Sequence, residues 1–307
     1  MATSQQQLVC DSSTLANFKQ WAQAISTFFS TATWTQSTDT GQVNWSTIGA
    51  VPGSGAYVYE IWQPNDGLTT FYVKIEYGNV SGSANCPGLR LSIGSGSNGS
   101  GTLAGLVMGP QPICGTSYTP PSTTLQYECD FSGAAGRIGV MMWRNSPTTP
   151  VQQFFAIERS VNSSGAYTSS YVTMWVAGNG GGLAPRFCTQ ASLVFGVGAS
   201  PNSLNNSATT TNGGWLCRLQ SPQTGTSGFN GSIPFDNCAP GIGYFDFPCT
   251  VCGAALGVDI SEGVTFSVTL YGSTRTYLPS KIGPFSGVGP LGSGSGNVTA
   301  ALCMRYD

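Results

Sequence analysis

The chain contains no histidine among its 307 residues. That removes the usual Ser-His-Asp and Cys-His nucleophilic systems, and with them histidine-ligated metal centres. Charge is almost as scarce: Asp, Glu, Lys and Arg together make up 8%, against about 25% in an average domain. Only three lysines occur, Lys19, Lys74 and Lys281, and the formal net charge is −2. Such a chain carries no basic footprint for nucleic acid or for an anionic membrane. It has no run of about 18 apolar residues, so no membrane insertion is expected. The opening residues, MATSQQQLVCDSS, lack the basic and apolar regions of a secretory leader.

What is present is glycine, 42 residues, with abundant Ser and Thr and a hydrophobic share of 40%. A core is affordable on that composition, and the surface must be covered by hydroxyls, amides and backbone. A weakly charged exterior resists self-association poorly, which suits a subunit that assembles. Seven Asn-X-Ser/Thr sequences begin at Asn44, Asn79, Asn98, Asn162, Asn205, Asn230 and Asn297. Without an export leader they read as accidents of composition. The ten cysteines are too sparse for a disulfide scaffold. Cys249-Thr-Val-Cys252 is a lone CxxC, and zinc would need two further ligands. Buried thiols are the expectation, and Cys238 with Cys249 or Cys252 is the candidate disulfide.

The densest apolar-aromatic stretch is YVYEIWQPNDGLTTFYVKIEY, Tyr57 to Tyr77. Period-two alternation on both arms, around the turn residues Pro64-Asn65-Asp66-Gly67, predicts a β-hairpin. Pairing about Gly67 sets Glu60 opposite Lys74 on a polar face and Ile61 opposite Val73 on an apolar one. One amphipathic helix is expected, roughly Thr14 to Phe29, with Asp11 or Ser12 as N-cap. Leu15, Phe18, Trp21, Ala22, Ile25, Phe28 and Phe29 share its apolar face. A second hairpin is expected over Thr33 to Thr47, with Trp34 and Trp45 on its arms. About twelve strands in all, linked mostly by short turns, predict an all-β fold of Greek-key or jelly-roll type, a β-sandwich with long Gly/Pro/Ser-rich loops. The expected organisation is an arm and helix over 1–30, a sandwich over 31–177, a Gly-rich hinge over 178–185, and further β structure over 186–307.

Chemical signals are few. Gly94, Gly96 and Gly99 spell GxGxxG after a strand, but the residues that follow are too few for the helix that a phosphate site needs. A Gly-Ser hairpin tip is the expectation. Glu60, Glu76 and Glu158 lie in predicted strands near Lys or Arg and read as surface ion pairs. Glu128 and Asp130 point the same way on one strand and are the pair to test first for acid–base chemistry. Tyr167, Tyr171 and Trp175 are candidate glycan contacts, since a ring face stacks on a pyranose, although aromatics at strand spacing more often pack a core.

Two stretches, YEIWQPNDGLTTFYVKIEYGN (Tyr59–Asn79) and FFAIERSVNSSGA (Phe154–Ala166), resemble segments of virion structural proteins of tailed bacteriophages. The approach GQVNW (Gly41–Trp45) is similar too, and the resemblance spans residues 13 to 177. It implies a non-enzymatic virion subunit of the tail/fibre or capsid-decoration type, partnered by copies of itself and other virion proteins. It carries over no catalytic, cofactor or metal residues. It agrees with an outward-facing composition that lacks a leader, as in a protein made in the host cytoplasm and released by lysis. A carbohydrate-binding secreted adhesin is the expectation from another class.

Overall fold

A computed structural model describes residues 1–79, 87–114, 126–144, 151–162, 164–177, 184–189, 194–196, 235–237, 241–242, 245–246, 252–256, 264–270, 272–279 and 300–307. In chain order its elements are β1 (Ala2–Val9), α1 (Leu15–Thr31), β2 (Thr35–Gln36), β3 (Tyr57–Gln63), β4 (Tyr72–Asn79), β5 (Pro87–Ser97), β6 (Leu103–Cys114), β7 (Gln126–Ala134), β8 (Arg137–Arg144), β9 (Val151–Val161) and β10 (Tyr167–Ala177). They continue with β11 (Ala184–Thr189), β12 (Val194–Gly196), β13 (Phe235–Asn237), β14 (Gly241–Ile242), β15 (Phe245–Asp246), β16 (Cys252–Leu256), β17 (Phe266–Leu270), β18 (Ser273–Pro279) and β19 (Ala300–Arg305). The all-β class with a single helix therefore holds among the described residues. Sheet orders are β1-β7-β8-β9-β10-β11-β12, β2-β3-β4-β5-β6 and β13-β16-β19-β18-β17, with β14-β15 as a two-stranded ribbon. The first two sheets run mostly as sequential antiparallel neighbours; the exception is β1, which crosses to pair with β7.

The helix joins these two sheets. Thr14 caps it, its Oγ1 accepting from Asn17 N at 3.1 Å. Asp11 has a different task from the cap expected of it: its carboxylate accepts from Ser13 N and Asn17 Nδ2 just upstream. The apolar face forms as the period requires. Phe18, Trp21, Ala22, Ile25, Phe28 and Phe29 are buried, and Leu15 is half-buried. Phe28 packs on Phe131 of β7, while Phe29 stacks on Trp62 of β3 at 5.3 Å. One apolar cluster thus takes residues from the helix and from both sheets.

The helix ends in a left-handed residue that is not glycine. Thr33 has φ 65°, and the amides of Ala32 and Trp34 reach back to Phe28 and Phe29 carbonyls at 2.8 and 3.0 Å. The reversal drives Trp34 into the core, where its Nε1 donates to the Ala134 carbonyl at 3.0 Å. A β-branched residue in that region costs about 1–2 kcal/mol. Thr33→Gly is therefore expected to raise the unfolding free energy by roughly 0.5–1 kcal/mol, the gain partly offset by the looser unfolded chain. Urea titration measures it. Close approach explains Gly133 of β7: a Cβ there would lie 2.6 Å from Ala32 Cβ and 3.1 Å from Phe28 Cε1. Gly133→Ala should cost about 1–3 kcal/mol in the same titration, because the helix end has to lift off the sheet.

Several expectations change. The N-terminal arm is a strand, not an appendage: β1 pairs with β7 over its full length. Thr33 to Thr47 is not a hairpin, since only Thr35–Gln36 is strand and it pairs with β3. Trp34 and Trp45 both turn inward. In the central hairpin Glu60 pairs with Ile75 and Ile61 with Lys74, one residue off the expected register. The slip puts Trp62 on Phe29 and sends Glu60 into the core. Pro110 and Pro112 lie in β6, where an edge position spares the missing N–H groups. Residues 184 and 185 of the expected hinge begin β11, in the same sheet as β10. The rest of that hinge lies outside the described residues.

Candidate functional site

Alternation along β7, β8 and β9 gives the seven-stranded sheet two different faces. Tyr127, Cys129, Phe131, Ile138, Val140, Met142, Phe155 and Ile157 point to the core shared with the helix. The opposite face carries Glu128, Asp130, Ser132, Arg137, Gly139, Met141, Phe154, Ala156 and Glu158. This second face is covered too: Asp130, Ser132, Arg137, Met141, Phe154 and Glu158 are fully buried. The stretch around β19 lies over it. A Cβ on Gly139 would fall 2.9 Å from Met304 Sδ, so the glycine leaves room for that methionine.

Where the last residues reach the sheet, charge is concentrated. Arg137 Nη1 donates to Ser132 Oγ at 2.9 Å, and its Nη2 donates to the Asp307 main-chain oxygen. Arg305 stands between two carboxylates, with Nε 2.5 Å from Asp307 Oδ1 and Nη1 3.7 Å from Glu158 Oε1. Tyr167 donates its hydroxyl to Glu158 Oε1 at 3.1 Å. Burial, then the neighbouring Arg305 charge, pulls Arg137 below the usual guanidinium range. Burial opposes the charge on Arg305 as well, but the Asp307 hydrogen bond and the carboxylates carry its net shift upward. Burial followed by the Glu158 charge pushes Tyr167 well up. Together these contacts clamp residues 305–307 to β8, β9 and β10. The sequence expectation of surface ion pairs fails for Glu158, which is buried. It holds better for Glu76, whose partner Lys74 is at 3.9 Å and which sits opposite Arg90.

Beside this clamp lies the Glu128/Asp130 pair. Gln5 of β1 bridges it, Nε2 donating to Glu128 Oε1 at 2.7 Å and to Asp130 Oδ1 at 3.0 Å. Asp130 Oδ2 has no hydrogen-bond partner among the described residues. Burial raises the Asp130 pKa to about 6, with the Gln5 bond pulling the other way. The sign follows from proton linkage. A carboxyl whose folded pKa lies above its unfolded value holds its proton more tightly when folded, so its contribution is fully present below about pH 4 and is lost as pH rises through about 6. Asp130→Asn should therefore stabilise the protein at pH 7 by roughly 1–2 kcal/mol after allowance for residual solvent access, with no gain at pH 4. Parallel denaturant titrations at the two pH values check it.

Two further buried groups face the core side. Arg159 of β9 grips the turn residue Asp66 with both nitrogens, Nε to Oδ2 at 2.8 Å and Nη2 to Oδ1 at 3.0 Å. Its Nη1 donates to the Ser169 carbonyl at 2.9 Å, and its guanidinium lies 4.7 Å from the Phe71 ring centroid. Glu60 of β3 is not a surface acid. Its Oε1 accepts from Ser26 Oγ at 2.7 Å and Trp45 Nε1 at 2.8 Å, and its Oε2 from Tyr77 OH at 3.1 Å and Trp62 Nε1 at 3.3 Å. Burial raises its pKa, and those four bonds oppose the shift.

The remaining sequence candidates do not come together. Tyr171 stacks on Phe71 at 4.2 Å within the core, so its ring is not offered to a sugar. Tyr167 lies across a register shift from Tyr171, and its hydroxyl belongs to the Glu158 clamp. Trp175 pairs with Phe155 and Arg186 in the backbone ladder. Cys252 is in β16, while Cys238 and Cys249 lie outside the described residues. Gly94 and Gly96 are in β5, and β6 rather than a helix follows Gly99. The hairpin tip is held: Asp39 accepts from Ser97 Oγ and from Gly101 N, the latter at 3.0 Å. Among the described residues no group of three or more His, Cys, Asp or Glu side chains is placed to hold a metal ion, and no helix is long and apolar enough to cross a membrane. No family model matches the chain, and neither does any curated protein or solved structure.

Proposed function

We propose that the chain is a non-enzymatic structural subunit of a tailed-bacteriophage virion, placed on the exterior of the tail or its fibres, where it serves assembly and host adsorption. The observation that carries this reading is where the scarce charge goes. Asp39, Glu60, Asp130, Arg137, Glu158, Arg159 and Arg305 are buried. The charged side chains of the second sheet face are spent holding strands together, and hydroxyls, amides and backbone are left to meet partners. Two antiparallel sheets contributing to one core support the sandwich part of the finer fold reading, while their mostly sequential strand order lends none to Greek-key or jelly-roll connectivity. A capsid decoration protein is the alternative within the same class, with exposed strand edges against neighbouring capsomers. The adhesin reading loses support with Tyr171 inside the core.

A subunit of this kind works as copies of itself. Sedimentation analysis of the purified full chain at micromolar concentration is expected to show a discrete homo-oligomer. A monomer at every concentration would sink the proposal.

A further inference from the structure

We infer that Cys10 and Cys129 are a redox-responsive dithiol, which low-molecular-weight disulfides such as oxidised glutathione convert to an intramolecular bond that locks β1 and the start of α1 onto β7. The inference is independent of the virion reading. The two thiols are 119 positions apart in sequence, yet their sulfurs lie 3.8 Å from one another in the core. That is van der Waals contact, about 1.8 Å beyond a sulfur–sulfur bond.

The surroundings decide what such a bond would join. Cys10 is held on both sides by the helix: Val9 N donates to Gln20 Oε1 at 3.1 Å, and Trp21 Nε1 donates to the Asp11 carbonyl at 3.1 Å. Cys129 sits mid-strand in β7, opposite Gln6 of β1 and Met142 of β8. A bond between them would tie the strand–helix junction to an inner strand of the same sheet. Because β1 is an edge strand, its junction end opens at lower cost than β7, and Cys10 meets solvent first.

The chemistry then has a fixed order. The Cys10 thiolate attacks one sulfur of the small disulfide, which leaves as one thiolate and gives a mixed disulfide on Cys10. The Cys129 thiolate attacks the Cys10 sulfur, forms the protein disulfide and expels the second small thiolate. Both leaving thiolates take up the protons released by the two cysteines. Two protein thiols are oxidised by two electrons and one small disulfide is reduced to two thiols.

The test uses the full chain. After incubation with oxidised glutathione, the remaining thiols are blocked with N-ethylmaleimide, the protein is unfolded and digested, and its peptides are mapped by mass spectrometry. A linked peptide containing Cys10 and Cys129, lost on reduction, is the expected result. The thermal midpoint should rise reversibly, by on the order of 10 °C for so long a closed loop. Cys10→Ser and Cys129→Ala should each lose the linked peptide and the reversible rise. Mapping on the unmutated chain needs neither variant to fold. Recovery of Cys10 and Cys129 as separately blocked thiols, as stable glutathione adducts, or bonded to other cysteines would overturn the inference.

Discussion

Arg159→Leu is expected to lower the unfolding free energy by about 3–5 kcal/mol, because it strands a carboxylate that almost no water reaches. The Arg159 side chain is fully buried and that of Asp66 is 7% exposed. Their bidentate contact is the bond between the PNDG turn of one sheet and β9 of the other. Coulomb attraction alone does not set the size of the effect, since a buried pair recovers much of its attraction as desolvation cost. The loss comes from leaving one partner behind. Asp66→Asn in the Arg159→Leu background should therefore restore more than half of the stability. Equilibrium unfolding of the two single variants and the double variant checks this, and additive losses would show that the pair is not coupled.

Glu60→Ala is expected to cost about 3–4 kcal/mol by the same measurement, for the opposite reason. Among the described residues, the hydrogen-bond partners of Glu60 include no cation. Four donors converge on it, from Ser26 on the helix, Trp45 in the following loop, Trp62 on β3 and Tyr77 on β4. Burial already disfavours its charge, so the charge itself is not what stabilises. Removing the acceptor orphans buried N–H and O–H groups, and each orphan carries a penalty of about 1–3 kcal/mol. Glu60→Gln keeps an acceptor oxygen but turns an amide towards donors, and it should fall between wild type and Glu60→Ala. An unchanged midpoint for Glu60→Ala would mean that water takes over the four bonds.

Periodic signals in the chain were legible and long-range ones were not. The helix was readable because Phe18, Trp21, Ala22, Ile25, Phe28 and Phe29 repeat at helical spacing on a single face, and the structure buries that face. Arms of the Tyr57–Tyr77 hairpin were readable for the same kind of reason, but their register was not. A one-residue slip exchanges the two faces of a strand. Both faces of the first arm carry apolar residues, Tyr57, Tyr59 and Ile61 on one and Val58 and Trp62 on the other, so the local pattern does not say which face the core takes. In the fold it is the face with Trp62, which meets Phe29. β1 escaped notice because TSQQQLV shows little apolar alternation; its outer residues are glutamines that bridge Glu128 and Asp130. The Arg159 and Arg137 contacts span 93 and 170 residues of sequence, beyond any local pattern. One signal was available for them. In a chain with 8% charge, an arginine or glutamate inside an apolar strand such as FFAIERSV stands out by its scarcity, and that marks it for a buried partner.

Charged side chains are scarce in this chain, and Asp39, Glu60, Asp130, Arg137, Glu158, Arg159 and Arg305 are buried; that distribution is the basis for proposing an assembling virion component. The most direct measurement is an absolute count of this chain by mass spectrometry in intact particles purified on a cesium chloride gradient. The expected result is a chain that bands with the particles at tens of copies or fewer beside hundreds of major capsid subunits. Hundreds of copies would place it in the capsid shell as a decoration protein. Absence from the banded particles, with the chain recovered only as unassembled protein, would contradict the account.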